Sequence, residues 1–391
     1  MAELAIAAFC LSFPAFALIL KERVEFFAKW SPLVACYAAG LVVGNLGILP
    51  ANAPVVLDGI STGAVALSIP LLLFTVDIRA WRSLAGTTLR AFVLAVVAVL
   101  AVSALAHAFF KGAMPDSWNI AGLLVGVYTG GTPNMAAIKT ALGTDMNAYL
   151  AVHTSDMILS AAYFLFVLTV AKRFFSLFMP AFKARAPVGA EDAPEGGPLA
   201  PQAESEEIPF SSLFRKGSRG PLAAALGIDL AVVAVGLGLS LLVPADWQTM
   251  VAILGITSLA LAASLSPRLR AVRGTFQAGE YILYVFCLAV GAMGDISRLI
   301  GAAPQYFAYV AVVLFGSFAL HALLCALFKV DVDTFLVVST ATINSPPFVG
   351  LACVAIGNKR LLVPGITAGI MGYALGNYLG IGLAQLLRAL G

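Results

Sequence analysis

The chain has 391 residues, 61% hydrophobic and 11% charged, where a soluble domain carries roughly 25% charged residues. No soluble core could bury so large an apolar fraction, so composition excludes an ordinary globular protein and makes a lipid bilayer the solvent for most of the chain. A net charge of +3, small and dispersed, excludes a nucleic-acid-binding surface and leaves the information in where Lys and Arg fall relative to the apolar runs.

In chain order, Ala2–Leu20 is the first apolar run, with Glu3 and no basic residue at its start. A secretory signal begins with positive charge, so this run reads as a retained span. Ser31–Leu49, Gly59–Val76 and Ala91–Phe110 follow, each about the length that crosses a bilayer as helix. Ile120–Leu142 is interrupted by Gly-Gly-Thr-Pro-Asn at 130–134, and Ala148–Val170 closes the first half. From 172 to 220 the chain turns polar, with Pro, Gly, Glu and Ser and an acidic block (Glu204, Glu206, Glu207) ahead of a basic one (Arg215, Lys216, Arg219). This composition predicts a disordered linker between the halves. The second half offers Leu222–Val243, Met250–Leu265, Ala278–Met293, Gln305–Phe328 and Leu361–Leu387, and Thr334–Ile356 is interrupted by Asn-Ser-Pro-Pro at 344–347. Cys10, Cys36, Cys287, Cys325 and Cys353 all fall in apolar stretches without CxxC spacing and read as small buried hydrophobes.

The two interrupted runs decide the topology. If both crossed fully, the basic segment Lys172 to Arg219 would share a side with nearly charge-free loops, against the positive-inside rule. If each enters and leaves by one face, Lys21, Arg23, Lys29, Arg79, Arg82, Arg90, Lys172 to Arg219, Arg268, Arg270, Arg273, Lys329, Lys359 and Arg360 all become cytoplasmic. The predicted fold is therefore an all-α integral membrane protein of two inverted-topology repeats, each of five transmembrane helices plus one broken, re-entrant hairpin. The repeats are 1–171 and 221–391, joined by the cytoplasmic linker 172–220, with both termini outside the inner (cytoplasmic) membrane of a bacterium. Residue matches support the duplication: His107 and His321, Pro133 and Pro347, Ala141 and Ala355, and Gly143 and Gly357 are all 214 apart. Asp77 and Asp295 match at 218.

Non-helical backbone at membrane depth persists only when buried in protein or lining a wet cavity. Gly130, Gly131 and Pro133, and likewise Pro346 and Pro347, cannot continue a helix. Broken ends expose N–H groups that suit an anion and carbonyls that suit a cation. Thr129, Gly130, Gly131, Thr132, Asn134, Thr342, Asn344 and Ser345 are accordingly the candidate substrate-binding residues. Asn377 joins them from the final span, whose Gly365, Gly369, Gly372, Gly376 and Gly380 read as a packing face. Asp156 lies about eight residues into its span, where an unpaired charge costs roughly 2.5–3.5 kcal/mol on insertion scales. It is the candidate ion-coupling residue, with His153 one turn earlier on the same face. Asp229, seven residues into its span, is the other candidate, though it and Glu280 are read as pairing with loop arginines instead; His107 and His321 read as interfacial anchors, and Asp77 and Asp295 as loop residues that pair with nearby arginines and cap the next element.

Gly-Gly-Thr-Pro-Asn-Met-Ala-Ala-Ile at 130–138 and the run from Leu362 to Gly380 resemble the domain-of-unknown-function family 819, bacterial membrane proteins of the YjcL type. That family is distantly similar to the cation:proton antiporter and anion transporter superfamily, which includes sodium:glutamate and 2-hydroxycarboxylate symporters with glycine-rich re-entrant loops. The first loop keeps the glycine pair; the second reads Asn344-Ser345-Pro346-Pro347 in its place. The resemblance implies transport by fold analogy and a homodimer through the bundle that lacks the hairpins.

The resulting expectation is a secondary active transporter and not an enzyme, importing a small carboxylate-bearing anion (organic acid, amino acid or small peptide) with Na+ or H+ by alternating access. Sodium would sit near Asp156 and the hairpin tips, with no other cofactor and no transition-metal site. A cation:proton antiporter is the alternative; a channel or an intramembrane enzyme ranks below both, since no HExxH or Gly-x-Gly-Asp motif is present.

Overall fold

A computed structural model describes residues 2–23, 32–77, 86–182 and 219–390, and the described residues are helices and connecting turns. The disorder expected over 183–218 falls outside the described residues, as do the loop residues Lys29, Arg79 and Arg82. Every run read as a full span is helical. They are α1 (Ala2–Arg23), α2 (Pro32–Asn45), α3 (Ala53–Leu73), α4 (Gly86–Phe110), α7 (Met146–Phe166), α8 (Arg219–Ser240), α9 (Ala245–Ala263), α10 (Thr275–Ala292), α11 (Ile296–Leu327) and α14 (Leu362–Leu390). The interrupted runs supply α5 (Ser117–Gly130) with α6 (Thr132–Leu142), and α12 (Val332–Ile343) with α13 (Val349–Ile356). A helix closes its backbone hydrogen bonds within itself, which apolar surroundings without water demand. Eight of the described helices are long and apolar enough to cross a membrane, whereas Pro32–Asn45 is shorter.

Several helix ends lie beyond their sequence-based positions: α11 begins at Ile296 rather than Gln305, and α8 at Arg219, inside the residues read as linker. The span read as ending at Val170 runs through a π-helical turn at Val167–Ala171 into the helical turn Lys172–Phe175. The first residues after 171 are thus structured, and Pro180 O accepts a hydrogen bond from the N–H of Val332.

The chain forms two compact units, and each draws on both sequence halves. Unit 1 is built from the described parts of Met1–Thr75, Lys139–His153 and Ile208–Tyr306. In it α10 packs on α2 and α3, and α8 packs on α9. Small residues set the α2–α10 approach: a methyl added at Gly40 or Gly44 would strike the backbone of Leu288 or Ala292, and one at Gly291 the carbonyl of Tyr37. Asn45 bridges the helix ends, donating to Gly294 O at 2.8 Å and accepting from Ile296 N at 3.2 Å. Asp295 caps α11 through its carboxylate, which accepts from Ser297 N at 2.9 Å, the role its sequence position suggested.

Unit 2 is built from the described parts of Val76–Ile138, Thr154–Glu207 and Phe307–Gly391. Both breaks lie in it, the last turn of α6 from Lys139 belonging to unit 1, and in both the chain folds back on itself. Gly126 of α5 lies against Ile138 and Asn134, which belong to α6. Gly365 of α14 lies against both Val337 and Val349, one from each arm of the second segment. Phe175, Phe318 and Phe335 pack ring on ring with centroids 5.0–5.4 Å apart beside this second hairpin. His107 and His321 are buried within the protein: His107 Nδ1 is 2.8 Å from Ser117 Oγ, and His321 Nε2 is 3.0 Å from Ala91 O. The five cysteines are free and buried, as expected.

Candidate functional site

The first break begins where α5 runs out at Gly130. Gly131 donates to Val127 O at 2.8 Å and then takes φ 85°, ψ −170°, a left-handed-side conformation that glycine enters without steric cost. Pro133 has no N–H and fits the first turn of the next helix, while Asn134 and Met135 both donate to Gly131 O at 3.2 Å. The second break has the same shape without a glycine. Asn344 ends α12 with its N–H on Thr340 O at 2.9 Å, and Ser345 takes φ 76°, ψ 163° before a short 3-10 turn at Pro346–Phe348. Gly131 and Ser345 are 214 residues apart, the spacing of the sequence matches. Gly143 and Gly357, which end the two hairpins, repeat it with φ 64° and 75°.

The two tips meet. A methyl group on Gly131 would collide with Ser345 Oγ, and one on Gly130 with Asn134 and the Gly372 carbonyl. The middle of α14 is the floor beneath them. Gly372 sits on the backbone of Thr129 and Gly130, Gly376 on the Asn134 side chain, and Gly369 on Pro346 and the Ala341 carbonyl. The small-residue stripe is therefore a packing face, and what it packs is the pair of breaks. Asn134 fixes the arrangement by donating to Tyr373 O and to Asn377 Oδ1, each at 2.9 Å.

Of the candidate substrate-binding residues, Thr129, Gly130, Gly131, Asn134, Ser345 and Asn377 are gathered at this junction. Thr129 is fully buried and its hydroxyl has no hydrogen-bond partner among the described residues. Thr132 is half-buried at the first position of α6. Thr342 spends its hydroxyl on Val338 O and Ser339 O, both at 3.1 Å, within its own helix.

Asp156 is 6% exposed and accepts a hydrogen bond from Ser160 Oγ at 2.7 Å, one helical turn on. The buried Tyr128 hydroxyl, just ahead of the first break, faces both Asp156 and Ser160 without reaching the geometry of a full hydrogen bond. Asn344 donates to Ser160 O at 3.3 Å, which brings the second break onto the stretch of α7 that carries Asp156. Tyr163 donates to Ser339 Oγ at 2.8 Å one turn further along. Sequence reading missed Tyr128, Ser160 and Tyr163. The signals were available: Tyr128 adjoins the break, and Ser160 stands four residues from the buried acid.

His153 falls in unit 1, among other partners. Its ring lies 4.8 Å from that of Tyr37 and stacks on Tyr149 at 5.9 Å, and neither ring nitrogen has a hydrogen-bond partner among the described residues. Tyr37 and Tyr149 join hydroxyl to hydroxyl at 3.0 Å. Asp229, also in unit 1, is 1% exposed, and its Oδ1 has no partner among the described residues, so the expected loop arginine is not found there. Glu280 lies within electrostatic reach of Lys21.

The base of the second hairpin is tied to the end of α7. Lys172 Nζ lies 2.8 Å from Asp333 Oδ1 and donates to Ile356 O at 2.7 Å, while Asn358 donates to Asp333 Oδ2 at 2.9 Å. Both arms of the hairpin are thereby held at one point beside a cavity of about 380 Å³ lined in part by Ser176 and Arg360.

Comparison with known proteins returns a family described as protein of unknown function, DUF819, whose sequence profile matches residues 8–390. A relative from Bacillus subtilis, described as uncharacterized membrane protein YjcL, is 24% identical over 376 residues, covering 92% of this chain and 91% of its own.

Proposed function

The chain belongs to the DUF819 family of membrane proteins, and because that family name carries no activity we propose a function from the geometry: secondary active transport. The reading is ion-coupled symport of a small carboxylate-bearing solute, an organic acid, amino acid or small peptide, by alternating access. The observation that carries it is the meeting of two helix breaks at Gly131 and Ser345, against the glycine face of α14 and within one compact unit. Irregular backbone at that depth is tolerated where it serves a substrate or ion path. Two fold-back hairpins with equivalent breaks 214 residues apart also support inverted repeats with re-entrant hairpins, and a cytoplasmic position for the basic segment after Lys172.

In this mechanism the solute binds at the tips through Thr129, Asn134, Ser345 and the freed N–H groups of the breaks. Asp156 carries the coupling ion beside them. Alternating access then exposes the loaded site to each side of the inner membrane in turn. The basic loops on the cytoplasmic side orient the molecule, and lipid surrounds the apolar helices.

A second reading has an observation of its own. The described contacts of the tips contain no Lys or Arg, so an anion would be held by neutral donors alone, and a cation:proton antiporter needs no such anion. Thermal-shift screening of detergent-purified protein against carboxylates and amino acids, with and without sodium, separates the two, because a ligand that binds only the folded state raises its apparent stability. An organic hit that requires sodium supports symport; stabilisation by sodium alone favours the antiporter. In proteoliposomes Asp156→Asn should abolish transport, and wild-type rates in that variant would sink both readings.

A further inference from the structure

We propose that the coupling ion is a dehydrated alkali cation of the sodium class, bound by the Asp156 carboxylate with Ser160 Oγ, the Tyr128 hydroxyl and the Asn344 amide oxygen. The proposal rests on the ion-coupled reading above and names the ion's ligands.

Asp156 is a buried carboxylate whose described partners are hydroxyls and not a basic side chain. A charge so placed at membrane depth requires compensation. Ser and Tyr hydroxyls can donate to the carboxylate, yet each also has lone pairs that a cation can take when the O–H rotates away. The Tyr128 hydroxyl is buried, aimed at Asp156 and Ser160, and lacks a well-formed bond to either.

Asn344 decides between a metal cation and a proton. Its Nδ2 donates to Ser160 O, which settles which end of the amide is which, and the opposite end, Oδ1, is buried without any donor. Asn344 stands where the chain leaves α12, ahead of Ser345 at φ 76°, so the break itself places this oxygen. Protonating Asp156 neutralises the carboxylate and leaves the amide oxygen unmet. A cation draws on all four oxygens at once. Oxygen donors with no sulfur or imidazole among them suit a hard ion. One carboxylate balances a single charge, and among the described residues no group of three His, Cys, Asp or Glu exists to hold a more highly charged or softer metal.

The test is binding of radioactive sodium to the purified full-length protein, together with thermal shift, at fixed pH and at constant ionic strength made up with choline. Saturable sodium binding is expected, with potassium far weaker. Tyr128→Phe and Ser160→Ala, which retain packing volume, should each weaken it by about tenfold, the scale of one lost charge-assisted contact. Asn344→Ala should weaken it at least as much, and Asn344→Asp, which keeps the oxygen, should recover part of the loss. Sodium affinity unchanged in Asn344→Ala overturns the assignment. So does wild-type protein that ignores sodium while its stability follows pH through Asp156, an outcome that leaves ion-coupled transport standing with a proton in the role. Transport that survives Asp156→Asn fails the underlying reading instead.

Discussion

The two breaks in unit 2 share a backbone and differ in the residue that makes it. Gly131 and Ser345 have φ 85° and 76° and extended ψ, −170° and 163°. One position uses the residue for which this conformation is free; the other places an L side chain where it is strained by about 1–3 kcal/mol. The difference follows from where they meet. The space a Cβ on Gly131 would need is filled by Ser345 Oγ, so only one of the pair can carry a side chain.

The most damaging change to this arrangement is Gly131→Ala. It brings the same backbone strain, about 1–3 kcal/mol, together with overpacking against Ser345, about 1–3 kcal/mol, for a combined loss of roughly 2–6 kcal/mol. In detergent the apparent Tm should fall by several degrees, and uptake with it. Adding Ser345→Gly to that variant removes the collision but not the strain at 131, so it should recover part of the loss. A double variant no better than Gly131→Ala alone would mean that the tips do not press on one another.

How much of this was legible in the sequence follows from which interactions are local. The spans were, because about 20 apolar residues without charge leave a helix little alternative. So were the breaks, since Pro133, Pro346 and the Gly130–Gly131 pair interrupt a helix wherever they stand. The glycine stripe of α14 was legible as a packing face, but what it packs was not, because Gly372 meets Thr129 across some 240 residues of chain. The placement of His153 misled for a related reason. Helical spacing puts it on the face of Asp156, yet the boundary between the compact units falls directly after it, and its neighbours are Tyr37 and Tyr149. Residues paired at a fixed offset are what the sequence offers for a duplication, whereas the compact units, which mix both halves, follow from tertiary packing alone.

A smaller effect distinguishes the asparagines that flank the breaks. Asn134 is buried and makes two 2.9 Å bonds into α14, whereas Asn344 makes a single 3.3 Å bond to Ser160. Asn134→Ala should cost roughly 1–3 kcal/mol, as expected for polar groups left unmet in a buried site. Asn344→Ala should cost clearly less, and thermal unfolding of the two variants side by side measures the gap. Equal losses would show that the second break is held by its asparagine as firmly as the first, and would weaken the case that Asn344 keeps its oxygen free for an ion.

The smallest expected change in stability is at Ser345→Gly, and its sign is the informative part. Glycine relieves about 1–3 kcal/mol of positive-φ strain, and it loosens the unfolded chain by about 0.4–1 kcal/mol, which offsets part of that gain. The apparent Tm should therefore stay level or rise slightly. Uptake should nevertheless fall, because the substitution removes a side chain that projects from the second break onto the first. A variant at least as stable and less active would identify the strain at Ser345 as retained for transport, since a strained site that served packing alone would lose stability on relaxation. Unchanged uptake would reduce the serine to a filler over Gly131 and leave Asn134 and Thr129 to meet the solute.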